Sequence, residues 1–215
     1  RGLGDVYKRQ SGYYDTQTGK ADLYQRSVLT SDSKQLTGDS LFYDRNTGIG
    51  EAFSNIVMTD TLNKNMMLGD YGYYNEKLKS AFVTKNAVAI DYSQGDSLFL
   101  HADTLSMNTF HLDTDSMYRE VKAYHKVRFY RTDVQGVADS LVFSSKDSCL
   151  IMYKDPVLWN ENQQLLGEQI NIYMNDSTID WAHIINQALS VEQIPVDTTS
   201  VSYTHLRAHE TRHDL

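Results

Sequence analysis

The chain has little of what disulfide-linked, thiol-dependent and membrane-spanning proteins need. Its 215 residues include a single cysteine, Cys149, which excludes an intramolecular disulfide framework. Cys149 lies in an apolar stretch with no base nearby in the sequence. A thiol nucleophile needs such a partner, so we expect a buried, unreactive side chain. No run approaches the roughly twenty apolar residues of a membrane helix.

Positive charge and catalytic motifs are also scarce. The chain has 28 acidic and 20 basic residues, a net charge of -8, and nucleic acids and anionic membrane surfaces favour Lys and Arg clusters instead. The sequence contains no G-x-S-x-G, H-E-x-x-H or C-x-x-C motif and no glycine-rich phosphate loop. With only two prolines, Pro156 and Pro195, and no linker, the sequence predicts one domain. Because these motifs are missing, it also predicts no enzyme and no cofactor.

What the chain does have is a phrase that recurs every 29 to 36 residues, an acidic residue followed by apolar residues at the second and fourth positions after it. Such periodicity indicates stacked structural units. The copies are Asp39–Tyr43, Asp70–Tyr74, Asp103–Met107, Asp139–Phe143 and, more loosely, Glu168–Ile172.

Each phrase has an apolar partner half a period away, centred on Val28, Val57, Val88, Val127, Val157 and Leu189. Alternating apolar residues and 15 tyrosines favour strands, and Asn, Asp and Gly between the phrases favour turns. We therefore predict an all-β chain of two-strand units of about 30 residues, with roughly ten or eleven strands. A stretch at 181–189 resembles a short helix, but its place in the repeat favours a strand, and an enlarged loop is expected near 108–119.

The two ends fall outside the repeat. Residues 1–10 and 201–215 resemble translated adapter sequence, so we expect 11–200 to be the genuine domain and a fragment of a longer protein. His205, His209 and His213 would line one face of a helix as zinc ligands do, but their place in the terminal segment weighs strongly against a metal site.

Three further groups of residues have types that bind ligands in other proteins. Stacked Asp39, Asp70, Asp103 and Asp139 could bind Ca²⁺, although a structural role is favoured. His101 and His111 with Asp103 and Asp113 suggest a metal cluster, for which polar turn residues are the simpler interpretation. The recurring tyrosines could stack on sugars, although β-sheet packing explains them as well.

The repeated sequence motif resembles that of a known family. Gly38-Asp39-Ser40-Leu41-Phe42-Tyr43-Asp44, followed by the segment 50–57, is similar to the OstA-like, or LptA-like, repeat of lipopolysaccharide transport proteins, and segments 69–90 and 136–157 are similar again. In residue composition the repeat is most similar to that of the long OstA-like proteins of Bacteroidetes-type bacteria.

The resemblance implies a twisted, taco-like β-jelly roll whose two sheets enclose an apolar groove. It further implies a non-enzymatic domain that shields the acyl chains of lipid A. This domain would lie in the periplasm and could associate with the outer membrane. Partners would be lipopolysaccharide and other domains of the same type stacked end to end, with no nucleic acid and no transmembrane segment.

If Leu41 points inward, one apolar stripe is expected to line this groove. The stripe comprises Val28, Leu41, Tyr43, Val57, Tyr74, Val88, Ile90, Leu105, Met107, Val127, Phe129, Leu141, Phe143, Val157, Trp159, Ile170, Ile172 and Leu189. The same stripe would also suit the core of a closed sandwich. The alternative function is an adhesin-like β-solenoid that binds glycans or proteins, and a polysaccharide lyase is a weaker third.

Overall fold

In a computed structural model, the described residues form one antiparallel sheet of 18 strands. The structure describes residues 6–8, 11–31, 33–93, 95–175, 178–194, 202–207 and 211–214. Within these ranges every regular element is a strand and none is a helix. The predicted all-β fold class is therefore confirmed.

The strands follow one another in space nearly as they do in the chain. In order they are β1 (Val6–Lys8), β2 (Ser11–Asp15), β3 (Lys20–Ser31), β4 (Lys34–Asp44), β5 (Ile49–Asp60), β6 (Asn65–Asn75), β7 (Ser80–Asp91), β8 (Leu98–Phe110), β9 (Tyr118–Tyr130), β10 (Val134–Ser144), β11 (Cys149–Tyr153), β12 (Val157–Asn160), β13 (Gln163–Leu166), β14 (Gln169–Asn175), β15 (Thr178–Ile185), β16 (Leu189–Ile194), β17 (Ser202–Arg207) and β18 (Thr211–Asp214).

Several of the shorter strands are the two halves of one long strand. Both β11 and β12 pair with β10, at successive positions along it. In the same way β14 and β13 pair with β11 and β12, and β15 and β16 follow them. The stretch 181–189 contributes to β15 and β16, so the interpretation as strand rather than helix is correct.

Short turns join the strands at the positions that the sequence favours. At the turn after β4, the Asp44 carboxylate accepts hydrogen bonds from the backbone N–H groups of Asn46 and Thr47, and Gly48 has φ 73°. Asp60 accepts the equivalent bonds from Leu62 and Asn63 after β5. Asp and Asn favour turns because they hydrogen-bond the backbone two and three residues on.

Every second long strand bends sharply at a β-bulge, which we call its corner. Two consecutive residues there have left-handed φ values of 49° to 62° and face a single residue on the neighbouring strand. A bulge of this kind bends a strand and increases its twist. These corner pairs are Gln25–Arg26, Ser54–Asn55, Lys85–Asn86, His125–Lys126, Lys154–Asp155 and Asn186–Gln187.

The corners divide the sheet into a first half-sheet, which contains Leu41 and Ile170, and a second half-sheet, which contains Leu36 and Leu158. One face of both half-sheets is buried, and a single apolar cluster includes Ile170 and Leu158. A flat single sheet would leave both faces in water, so this burial shows that the sheet doubles over an apolar interior. We call the buried face the inner face.

Candidate functional site

The inner face of the first half-sheet carries an unbroken buried row. Its residues are direct cross-strand neighbours over eleven strands. Large and small side chains alternate along part of the row, which lets neighbouring strands interdigitate. The row is Leu23, Leu41, Ala52, Gly72, Val83, Leu105, Ala123, Leu141, Met152, Ile170 and Ile184.

A second inner row lies across the corner in the second half-sheet. Leu158 and Leu165 are fully buried in it, and Leu100 packs against the same cluster. The row is Leu29, Leu36, Met58, Met67, Ala89, Leu100, Phe129, Gly136, Leu158, Leu165 and Ser190. Together the two rows form an apolar interior that consists of two buried clusters, a smaller one around Leu23 and Leu41 and a larger one that extends from Val83 to Ile184.

Large side chains of this interior fill the space above glycines. A Cβ on Gly69 would lie 2.2 Å from Cγ1 of Val83, and one on Gly136 would lie 2.3 Å from the Phe129 ring. The same Cβ on Gly136 would meet the terminal methyl of Met152 at 3.0 Å, although Gly136 and Met152 belong to different half-sheets. The two half-sheets therefore touch across the interior.

The expected stripe of eighteen residues divides between the two faces of the sheet. On the inner face lie eleven of them: Leu41, Tyr43, Tyr74, Leu105, Met107, Val127, Phe129, Leu141, Phe143, Ile170 and Ile172. On the opposite, outer face lie seven: Val28, Val57, Val88, Ile90, Val157, Trp159 and Leu189. The expectation that all of them share one face therefore does not hold for these seven.

The reason for this division lies at the corner. The residue just before each of these valines is the one that turns inward, as Ala87 does before Val88 and Ile56 before Val57. Because side chains alternate along a strand, the valine then points outward. The sequence does indicate this inward position, because a small or apolar residue directly precedes each valine and Leu189. These residues are Ser27, Ile56, Ala87, Pro156 and Ala188.

One member of the valine series also has a different position from the rest. The cross-strand row that contains Val28, Val57, Val88, Val157 and Leu189 passes through Arg128, whereas Val127 takes the inward position before it. We call this outer row the valine row. From β3 to β16 its members are Val28, Thr37, Val57, Leu68, Val88, His101, Arg128, Val137, Val157, Leu166 and Leu189.

The centre of the interior is filled and its rim is partly open. Leu41, Leu105 and Leu141 are at most 2% exposed. Near the turns, Tyr43 and Phe143 on the same inner face are half-buried. A surface cavity of about 670 Å³ lies at the outer side of the corner, and one of about 420 Å³ lies at the corner itself, where its lining includes Val127 of the inner face and Arg128 of the outer face.

The N-terminal part of the chain matches a known family. The family model described as OstA-like protein matches residues 5–89. These residues belong to an OstA-like domain. The match spans the first two segments from which the resemblance was drawn, begins inside the segment 1–10 that we expected to be extraneous, and ends within β7.

The chain was also compared with curated protein sequences and with solved structures. No curated protein sequence matches the chain. Among solved structures, LptH from Pseudomonas aeruginosa, the LptA-homologous periplasmic component of the lipopolysaccharide transport device, aligns with 66% of this chain and 76% of its own, at 13% identity. The TM-score is 0.28, too low for this likeness to support a statement on fold or function.

The repeated acidic residues lie at the corners, and Asp39, Asp103, Asp139 and Glu168 contact the corner pairs. Asp39 accepts a hydrogen bond of 2.7 Å from Nδ2 of Asn55, on β5, and lies 3.7 Å from the guanidinium of Arg26, on β3. Asp139 is 2.9 Å from Nζ of Lys154 and 3.4 Å from Nδ1 of His125. Each carboxylate thus joins the corner pairs of the two strands beside its own.

Two other repeated acids, Asp103 and Glu168, have similar contacts. Asp103 lies 3.6 Å from Nζ of Lys126. Glu168 accepts hydrogen bonds of 3.0 Å from Asn186 and 2.8 Å from Gln187. The partners are ammonium, imidazole and amide groups, so a carboxylate ladder for Ca²⁺ is the less economical explanation of the repeated acids.

Hydrogen bonds shift the pKa of several of these carboxyl groups. The hydrogen bond from the Lys154 ammonium lowers the pKa of Asp139, burial opposes this effect, and the hydrogen bond with His125 adds to the lowering. Burial alone would raise the pKa of Asp60, but its bonds from Asn63 and Leu62 and the charge of Lys34 outweigh it and lower the pKa. Burial raises the pKa of the Cys149 thiol, which is buried as expected.

The structure does not bring His101 and His111 together as a metal cluster would require. His101 lies in β8, whereas His111 follows that strand and stacks near the Tyr118 ring. His205 and His213 belong to two different strands, and His209 and Pro195 lie outside the described residues. Within the described part of the chain, no group of three or more His, Cys, Asp or Glu side chains is placed to hold a metal ion.

The outer face of the first half-sheet carries a ladder of aromatic rings. Tyr24, Phe42, Phe53, Tyr71 and Phe82 follow one another across β3 to β7, with ring centroids 5.1 to 5.8 Å apart. The Tyr71 hydroxyl donates to Glu51, and this bond raises the pKa of Tyr71. Tyr24 and Phe53 are exposed.

The described residues also include no helix with the length and apolar character needed to cross a bilayer.

Proposed function

We propose that this chain is a non-enzymatic, periplasmic lipid-carrying domain of lipopolysaccharide transport, which shields acyl chains in the interior of its doubled-over sheet. The family of the OstA-like domain supports the general role. The observation that carries the finer proposal is the buried row from Leu23 to Ile184. It offers an apolar path over eleven strands without an interrupting charge.

The hydrophobic effect supplies the driving force in this proposal. Each CH₂ group removed from water contributes about 0.8 kcal/mol, so an acyl chain of about ten such groups gains roughly 8 kcal/mol before any cost is subtracted. Since the centre of the interior is filled, the half-sheets have to separate before a chain can enter. The half-buried rim side chains Tyr43, Tyr74, Met107 and Phe143 are the proposed first contacts.

The open sheet supports the proposed assembly. The β2 strand pairs on one side with β3, and its other side is not paired by another described strand. Unpaired strand edges are templates for pairing with another chain. We propose that other domains of the same type stack on these edges end to end, so that the interior continues from one domain to the next towards the outer membrane.

The outer aromatic ladder favours a second candidate, an adhesin-like module that binds glycans. Exposed aromatic side chains suit sugar faces, and Tyr24 and Phe53 are both exposed on this ladder. This candidate uses the outer face and needs no opening of the interior. It therefore predicts recognition of the saccharide part of a glycolipid.

One binding experiment tests the proposal and separates the two candidates. The purified chain is titrated with lipopolysaccharide and with the same molecule after its acyl chains have been removed. The lipid-carrier proposal predicts binding of the intact molecule and a loss of at least about tenfold in affinity on deacylation, since the burial of acyl chains drives it. Equal affinity for both molecules would contradict it and favour the glycan-binding candidate.

A further inference from the structure

Between its two ends, the valine row contains a charged residue at one place. From β3 to β16 its members are aliphatic or Thr except at His101 and Arg128, which are direct cross-strand neighbours on β8 and β9, and beyond this stretch the row continues to Lys8 on β1 and Arg207 on β17. In the repeat, Arg128 stands where the other units have Val28, Val57 or Val88. Sheet packing does not require a guanidinium at this position, so Arg128 is a candidate for binding a ligand.

The charge of Arg128 is not neutralised by a neighbour. Its Nη2 donates to Nδ1 of His101 at 3.5 Å, and no carboxylate among the described residues comes within ion-pair distance of it. A guanidinium has five N–H donors in a planar fork, which suits the oxygens of a phosphate. Most of these donors remain available for a ligand.

A surface cavity of about 420 Å³ lies against this pair. Its lining includes His101, Arg128, Lys126 and Asp155. The contact between Lys126 and Asp103 is 3.6 Å long and joins two largely exposed groups, and such pairs contribute little. Lys126 is therefore able to turn towards an anion in the cavity, whereas the Asp155 carboxylate at its edge would repel that anion.

Aromatic side chains continue the surface beyond the charged pair. Phe99 and Tyr130 are cross-strand neighbours, two residues from His101 and Arg128 on the same outer face, and they are 43% and 49% exposed. Aromatic faces beside a guanidinium suit a ligand in which a phosphate is attached to a larger, less polar part. The cavity volume is also larger than a free phosphate requires.

We propose that Arg128 and His101, with Lys126 at the rim, form a binding site for a phosphate group on the outer face. The phosphate belongs either to a soluble sugar phosphate or to a lipid headgroup. The site lies on the opposite face from the proposed lipid path, so it stands or falls independently of the proposed function.

Calorimetric titration tests the site with three probes: inorganic phosphate, glucose 1-phosphate, and phosphatidylcholine vesicles with and without phosphatidic acid. The variants Arg128→Val and His101→Leu restore residue types found elsewhere in the valine row, so both should fold. Each is expected to weaken binding by about tenfold, the loss of one or two charge-assisted hydrogen bonds. Asp155→Asn is expected to strengthen it by about threefold, because it removes a repelling charge.

Lys85→Asn is the matched control. It removes one positive charge from a corner pair outside the cavity, and Asn tolerates the left-handed φ of 62°. Affinity should be unchanged. Stronger binding of the phosphatidic acid vesicles identifies a headgroup as the source, and stronger binding of glucose 1-phosphate identifies a soluble ligand. Saturable binding to none of the probes, or equal binding by wild type and Arg128→Val, would overturn the proposal.

Discussion

At the scale of single residues, the carboxylates at the corners hold a backbone conformation that few side chains adopt. A left-handed residue other than glycine costs roughly 1–2 kcal/mol, and each corner has two of them in succession. Asn55 lowers this cost because Asn tolerates the conformation, and its amide donates to Asp39. The repeated acids therefore have a structural explanation that periodicity alone did not supply.

This explanation predicts the effect of substitutions at Asn55. Asn55→Ala should lower the free energy of unfolding by about 1–2 kcal/mol, because alanine is strained at φ 52° and the bond to Asp39 is lost. Asn55→Gly loses the same bond but relieves the backbone, so it should cost about half as much. Urea denaturation of both variants measures the difference, and an equal loss in both would show that the left-handed backbone is not strained.

Asp60 predicts how stability depends on pH. Its pKa is lower in the folded chain than the ordinary 3.8, so its contribution to stability is present above the unfolded pKa. That contribution is lost as the pH falls below about 4 and through the lowered pKa. Asp60→Asn should flatten the decline of stability in acid, as followed by urea denaturation at a series of pH values. A decline as steep as in the wild type would show that Asp60 is not one of the groups responsible.

At the scale of strands and turns, residue alternation and turn chemistry predicted where strands and turns lie. They did not predict which face of each strand is buried. The turns after β4 and β5 follow directly from Asp44 and Asp60, because these side chains cap the turn locally. The face of the strand around Val88 could not be chosen in this way. Alternation allows both orientations, and the decision depends on the small residue Ala87 fitting the crowded corner.

The corner packing predicts the cost of filling a glycine position. Gly69→Ala places a Cβ that must displace Val83, whose Cγ1 lies 2.2 Å from the ideal position. Overpacking of this kind costs about 1–3 kcal/mol. Thermal unfolding should show a clear loss for Gly69→Ala and almost none for Gly95→Ala, where no atom lies within 4 Å of the new Cβ.

The double variant Gly69→Ala with Val83→Ala checks the cause. If the two side chains compete for one space, the loss in the double variant should be smaller than the sum of the two single losses. Strict additivity would mean that Gly69 is needed for a reason other than the bulk of Val83.

At the scale of the whole molecule, the sheet is open at its edges and closed at its centre. The buried row crosses eleven strands, yet Leu105 and Leu141 in its middle are almost inaccessible. A lipid path and a filled core draw on the same apolar side chains, so composition and periodicity could not separate them. The stripe inferred from the sequence included eleven inner residues but also seven from the outer face, because each strand was oriented by its valine.

The central claim is that lipid acyl chains enter between the two half-sheets, and site-specific photocrosslinking tests it most directly. A photoreactive phenylalanine analogue replaces Phe143 on the inner face or, as the matched control, Phe82 on the outer face; both positions are half-buried phenylalanines. With lipopolysaccharide present, we predict a crosslinked adduct at position 143 and none at position 82. Equal adducts at both positions, or an adduct at position 82 alone, would contradict the claim.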